Sequence, residues 1–498
     1  MKLNYQIKGL LAFVAFSLIG FTACTELEPE GTDSVIREVV DGTAIPGNPG
    51  ELVTAAYNNL STFAEQTNTY SLFQHTSDEM IPPTRGVDWS DNGVWRTLHA
   101  HTWDPTHAYV LGAWNDLNSR LFNTVEILAG NPNAEQTADA NFLQGFYMWH
   151  VLDLFGQVPF REWEQGVDDL PRVITRSEAI DLAIERVESS ISGLPALGPG
   201  ENIRGSKAAA YAMLTRMYLN RAVYTSADPA GPFTYDNGDL QKVIDNADLL
   251  TAEGYSFDDD YFSIWENGTD KEPILVSNQG SGQNRWMMTL HYSQNPSGWN
   301  GFTTISELYN TFDADDPRFG IDATPDGSEF SGIGVGFLEG QQFNDDGDPI
   351  TDTRSQLPLQ FSEEVRLNGA PTAQGIRVIK YHPGRASKYI ILRYAEAMMN
   401  KAEAQLRLGD NAGALATINE MRTTRGGAEL GSVDLNGMLE ERARELYWEG
   451  LRRIDQVRFG TFTNTWTEKT VTDPNRVLFP IPQQALDSNP NLEQNPGY

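Results

Sequence analysis

From about Ala55 to Leu250 the apolar positions recur at helical spacing. Residues 142–155, FLQGFYMWHVLDLF, are apolar nearly all round, which predicts a helix buried between neighbours. Residues 175–192 predict an amphipathic helix. Thr175 and Glu178 have the spacing of a capping box. Ile180, Ile184, Val187 and Ile191 then share a face, and Gly193-Leu194-Pro195 ends the run. Residues 206–224 start at Ser206, an N-cap residue, and place Tyr211, Leu214 and Tyr218 on one side. Several alanines there permit close helix contact.

The pattern sharpens towards the C-terminus. Residues 388–423 predict a helix running to Leu408, a turn at Gly409-Asp410 and a second helix from about Ala412. Ala402 and Ala414 flank the turn at the spacing of a tetratricopeptide pair, a pattern that other antiparallel pairs share. Residues 438–458 predict one further helix, with Leu439, Ala443, Leu446, Gly450 and Ile454 as its buried stripe and Arg and Glu dense on the other face. Two regions lack this order. Residues 225–240 are a Pro, Gly and Asp-rich loop. Residues 266–386 have little helical period outside 304–312, and are too long for a simple connection. The expected fold is dominated by α-helix, with helix pairs and an irregular, loop-rich subdomain.

The N-terminus speaks to address. Lys2 and Lys8 precede an apolar run from Leu10 to Phe21. That run falls short of the roughly 20 apolar residues a bilayer span takes. A basic start, a short apolar run and small residues describe a signal peptide. It ends FTAC, which resembles a bacterial lipobox, and Cys24 is the only cysteine of the chain. A lone cysteine forms no internal disulfide, so Cys24 is the expected lipidation site. Glu26, Glu28 and Glu30 follow it. The 36 basic and 68 acidic residues give a net charge of −32. That charge, with no basic run, argues against a nucleic-acid partner.

Catalytic signatures are missing. There is no HExxH, no Gly-Lys pair for a phosphate loop and no GxSxG elbow. GIGVGFLEG (332–340) carries Phe337 where a dinucleotide fingerprint needs glycine. QQFNDDGDPITDT fails as an EF-hand, because Gln342 and Thr353 stand where carboxylates are required. Asp345, Asp346 and Asp348 leave other calcium geometries open, but no cofactor is expected. His99, His101 and His107, with Asp104, are read as loop histidines hydrogen-bonded to backbone or ligand, against a zinc alternative. A glycosidase needs two carboxylates a few ångströms apart, and nothing in the sequence singles out such a pair.

Aromatic surface is the remaining signal. TRGVDWSDNGVWRTLHAHTWDP (84–105) holds three of the eleven tryptophans, Trp89, Trp95 and Trp103, among loop residues. Flat indole rings cover the C–H faces of sugars while Arg, Asp and Asn bind the hydroxyls. Arg85, Asp88 and Asn92 stand among the three rings. Trp299 lies beside Asn300 in NPSGWNG, and Trp286 precedes both.

Several segments together resemble the SusD/RagB family of outer-membrane nutrient-binding lipoproteins. They are the lipobox with its acidic residues, NFLQGFYMWHVLDLFGQVPF (141–160) and GSKAAAYAMLTRMYLN (205–220). RYAEAMMNKAEAQLRLG (393–409), ERARELYWEGLRRIDQVRFG (441–460) and FPIPQQALDSNPNLEQNPGY (479–498) complete the set. Gln144 and Met148 depart mildly from the family pattern. The resemblance implies a superhelix of tetratricopeptide-like helix pairs. It implies a signal peptide at 1–23, an acidic tether at 24–45 and an N-terminal helical region at 46–265. An irregular insertion at 266–386 and a C-terminal region at 387–498 follow. It implies a lipid-anchored protein at the cell surface, on the outer membrane, with no enzyme activity. Its partners would be an oligosaccharide or polysaccharide and a SusC-type TonB-dependent channel. Peptide capture, and behind it a surface glycosidase, are the alternatives. Among the ligand-binding candidates, Trp103 is positioned most like a family stacking aromatic.

Overall fold

The computed structural model describes residues 46–498, apart from 164, 166–168 and 314, and the backbone of 39–40 and 43–44. The signal segment, Cys24 and the acidic cluster behind it lie outside the described residues. Within residues 1–47, Val39–Val40 pairs antiparallel with Thr43–Ala44. Residues 48–498 form one compact unit.

Among the described residues, nine longer helices frame that unit. They are α1 (Pro49–Asn58), α2 (Ala108–Ala129), α3 (Ala134–Phe155), α4 (Arg176–Ser190), α5 (Lys207–Thr225), α6 (Asn237–Ala252), α7 (Tyr394–Leu408), α8 (Asn411–Thr424) and α9 (Leu435–Leu446). Helices α2 to α6 each pack on the next, and α7 packs on α6, α5 and α8. The result is a run of tetratricopeptide-like helix pairs. Local chemistry sets the ends. The Thr175–Glu178 capping box forms, and the Ser206 side chain accepts from the N–H of Ala209. Gly409 ends α7 in the left-handed conformation (φ +86°), as a helix C-terminus favours. Every residue from Phe142 to Phe155 on α3 is buried. Each fully buried large apolar side chain contributes about 1.5–3 kcal/mol. At Gly145 a Cβ would lie 2.6 Å from the Ala183 carbonyl of α4, so the two helices approach as closely as backbone allows.

Two expectations need correction. Residues 388–393 are not helical: Lys388–Arg393 is a strand, antiparallel to Pro273–Ser281, and α7 begins only at Tyr394. Nor is 438–458 one helix. It breaks after Leu446 and resumes at Arg452–Arg458, with Trp448 (φ +61°) and Gly450 (φ +74°) between. Tertiary bonds hold the break open. The N–H of Trp448 donates to Glu79 Oε2 at 2.9 Å, and that of Gly450 to Gln74 Oε1 at 2.9 Å.

The 266–386 stretch is built from short ladders. Val335–Leu338 lies between Gly320–Ile321 and Arg377–Ile379, and Gly340–Gln341 pairs with Gln360–Phe361. Thr303–Thr304 reaches out to pair with Met80–Ile81. The helical signal at 304–312 shrinks to one turn, Ser306–Tyr309, and Gln283–Thr289 adds a helix the pattern did not show.

Buried charges tie this stretch to the helices. Arg393 reaches Glu272 (3.0 Å), Glu445 (2.8 Å) and Glu449 (2.6 Å). Arg425 joins Glu272 (2.5 Å) and Glu445 (2.9 Å), and Arg318 joins Glu441 (2.9 Å) and Glu445 (3.3 Å). Burial alone would raise the Glu445 carboxyl, but Arg425, Arg393 and Arg318 outweigh it and hold it at about 2. The Arg and Glu face of 441–458 is therefore interior.

Candidate ligand-binding platform

The loop at 84–93 is folded by its own charged residue. Arg85 and Asp88 bond each other's backbone (3.1 and 3.3 Å), which throws Val87 out to 87% exposure. The Arg85 side chain points inward. Its Nε donates to the Asn300 carbonyl (3.0 Å), Nη2 to that of Gln374 (2.7 Å), and Nη1 to that of Pro371. Asn300 is equally buried. Its Nδ2 donates to Thr372 O (3.0 Å), and Arg377 Nη2 donates to its Oδ1 (2.6 Å). Burial lowers Arg85 to about 10, so it stays charged at neutral pH. Arg85 and Asn300 thus pin three loops, 84–93, 291–302 and 371–374, into one piece.

Upon that pin sit two tryptophans. Trp89 Nε1 donates to the carbonyl of Trp299 (2.9 Å), and the ring centroids are 6.4 Å apart. Trp299 is 50% exposed and Trp89 partly so. Trp89 has φ +60°, an uncommon conformation for a bulky residue and one that costs about 1–3 kcal/mol. Its ring lies so close to the chain that a Cβ on Gly301 would be 2.5 Å from it. Beneath it lie Phe302 (5.0 Å) and Trp95 (5.4 Å), with His75 4.3 Å from Phe302. At the rim Asp88 accepts from the Tyr292 hydroxyl (3.1 Å) and from Arg354 Nη1. The Arg354 guanidinium lies 3.9 Å over the Tyr292 ring. Asn92 is exposed on the same loop with φ +53°.

The candidates divide accordingly. Asp88, Trp89, Asn92 and Trp299 reach solvent together, while Arg85 and Asn300 support them from inside. Trp95 is 2% exposed and gives its N–H to Asp91 (2.7 Å), and Trp286 is in the core. Trp103, the residue expected to stack on ligand, is 1% exposed and offers no open face. Its Nε1 donates to the hydroxyl of Tyr498 (2.6 Å), its ring lies 4.6 Å from Phe479, and Arg476 caps its carbonyl at 2.8 Å. It anchors the C-terminal segment. The histidines bond backbone: His99 to Met80 O and Thr467 O, His101 to Thr76 O, while His107 caps α2. Two platform residues escaped the reading of the sequence. Tyr292 stands in the same polar loop as Trp299, a signal that was there to use. Arg354 reaches Asp88 only through the fold.

The platform is open surface. Clefts elsewhere include one of about 290 Å³ at Tyr57, Asp139 and Arg204, one of 330 Å³ at Phe122, Pro159 and Phe160, and one of 450 Å³ at Glu266, His382 and Arg385. None of the three is lined by a tryptophan.

A model described as the SusD family matches residues 263–473 and 461–498. The chain belongs to the SusD family. The matched part holds Trp286, Tyr292, Trp299 and Asn300, and the 84–105 segment, whose Val94–His99 is helical, precedes it. The starch-binding protein SusD of Bacteroides thetaiotaomicron is 24% identical over 485 residues, covering 82% of each chain. Among solved structures, a laminarin-binding SusD-like protein superposes with a TM-score of 0.64 at 20% identity, covering 90% of this chain and 99% of the other. The surface glycan-binding protein A of Bacteroides uniformis does so with a TM-score of 0.67 at 18% identity, covering 90% and 98%. At these identities the likeness of structure speaks for the fold.

Proposed function

We propose that the protein captures oligosaccharide or polysaccharide at the cell surface without chemically changing it, and passes it to a SusC-type TonB-dependent channel in the outer membrane. The observation that carries this is Trp299, a half-exposed indole locked beside Trp89 at the edge of the Asp88–Tyr292–Arg354 cluster. Two rings at an angle offer apolar faces to successive sugar units, and the rim offers hydroxyl partners. Strain at Trp89 fits a site held ready before ligand arrives. Relatives named for binding starch and laminarin support the same class of ligand. Lipid on Cys24 would hold the protein at the membrane, where local concentration at the channel mouth offsets modest affinity. No helix among the described residues is long and apolar enough to cross a membrane.

The deciding experiment is affinity electrophoresis of the full chain through gels holding single polysaccharides. Retardation by at least one polysaccharide, lost in Trp299→Ala and in Trp89→Ala, is expected. Retardation that survives both substitutions would overturn the placement of the site. Co-purification with a large barrel protein tests the channel, and release of no sugar from the retarding polysaccharide tests the lack of catalysis.

A further inference from the structure

The charges around the platform say which glycans it takes. Three segments build it: 84–93, 291–300 and the hairpin 342–359, which reaches the others through Arg354 to Asp88 and Asn295 to Asp345 (2.7 Å). Their solvent-reaching charged side chains are Asp88, Asp91, Asp345, Asp346 and Asp348 against Arg354 alone. Arg85 and Arg377 lie directly below, but both are buried and bonded to loop carbonyls, with Arg377 also holding the Asn300 amide. Neither can turn a fork towards solvent. The next segment, joined by Thr84 to Leu367 and by Arg96 to Asn368, adds Glu363 and Glu364 against Arg96 and Arg366, which cancel.

Within the three platform segments the one outward cation is already matched. Arg354 is paired with Asp88 and lies over the Tyr292 ring at 3.9 Å, with its side chain still half exposed. It can donate to a neutral oxygen, but its charge is answered. Sites that hold carboxylate or sulfate do so with unanswered Arg or Lys, or with helix N-termini. Here an anionic sugar would meet a surplus of carboxylates on a chain of net charge −32. Sugar hydroxyls, by contrast, donate well to carboxylates.

We infer that the platform selects uncharged glycans, and that Asp88, by neutralising Arg354, is the residue that excludes carboxylated and sulfated ones. This rests on the glycan reading above and narrows it.

The test is retardation of the full chain by laminarin, starch and galactomannan, set against polygalacturonate, alginate and chondroitin sulfate. One or more neutral polymers should bind at least about tenfold more tightly than any anionic one. That binding should hardly change from about 10 mM to about 100 mM salt, where the screening length falls from roughly 30 to 10 Å. Asp88→Asn should gain retardation by polygalacturonate at low salt and lose it again at high salt. An anionic polymer bound as tightly as the best neutral one overturns the inference and leaves the glycan reading standing. Asp88→Asn without gain overturns the role given to Asp88. If no polysaccharide of either kind binds, the glycan reading falls and takes the inference with it.

Discussion

Between Glu441 and Arg458 the chain withdraws its charges from water. Glu441, Arg442, Glu445, Arg453, Asp455 and Arg458 are all buried, and each meets an opposite charge. In the loops at 84–93 and 291–300 the chain does the reverse. Its indoles rise into solvent on an arginine and an asparagine bonded almost wholly to loop backbone. Both regions are dense in aromatic and charged residues. What separates them is the partner: the first finds its partners within the chain, and the second leaves faces without one. Residues of the first kind hold the fold, and residues of the second are free to meet a ligand.

Substitutions can break that contrast, and the largest effects belong to the interior. Arg393→Ala removes the cation that Glu272, Glu445 and Glu449 share, leaving only Arg425, Arg318 and Lys380 against them, and should cost about 3–5 kcal/mol in chemical denaturation. A cost under about 1 kcal/mol would show the network to be dispensable. Trp103→Ala should cost about 3–5 kcal/mol by opening a cavity under the C-terminal segment. Glycan retardation of the folded fraction should persist, and selective loss of binding would return Trp103 to the site.

Acid should act on the interior too. Glu445 and Glu403 sit at about 2, because their arginine partners outweigh the opposing effect of burial. Both are depressed below the ordinary 4.5, so the stability they supply is present above that pH and is lost as pH falls towards 2. Denaturation midpoints should drop steadily from pH 5 to pH 3, and a flat profile would contradict the pairing. The smallest change in stability, within about 0.5 kcal/mol, is expected for Trp299→Ala. Its binding should nonetheless fall about tenfold, roughly 1.4 kcal/mol. Thermal melts beside gel retardation read both.

Much of the fold was legible because its signals are local. Thr175, Ser206 and Gly409 mark helix ends through bonds that span a few residues, and the apolar run at 142–155 announces its own burial. The strand at 388–393 was not legible. KYIILR suits either helix or strand, and the pairing with 273–281 decided it. The break at Trp448 also escaped, since Glu79 and Gln74 hold it from far along the chain. At the proposed platform, the two loops that the sequence singled out for their tryptophans meet in the structure. It also raised Trp89 and Trp299 beside Trp95, Trp103 and Trp286, with no means of ranking them by exposure.

The family, the helical frame and the loops to search were determined by the sequence alone. Each is carried by spacing and composition within short stretches. Which tryptophan meets water was decided only by the tertiary structure. Trp103 disappears because Tyr498, 395 residues away, takes its N–H. Trp299 stays in the open because no segment among the described residues closes over its ring.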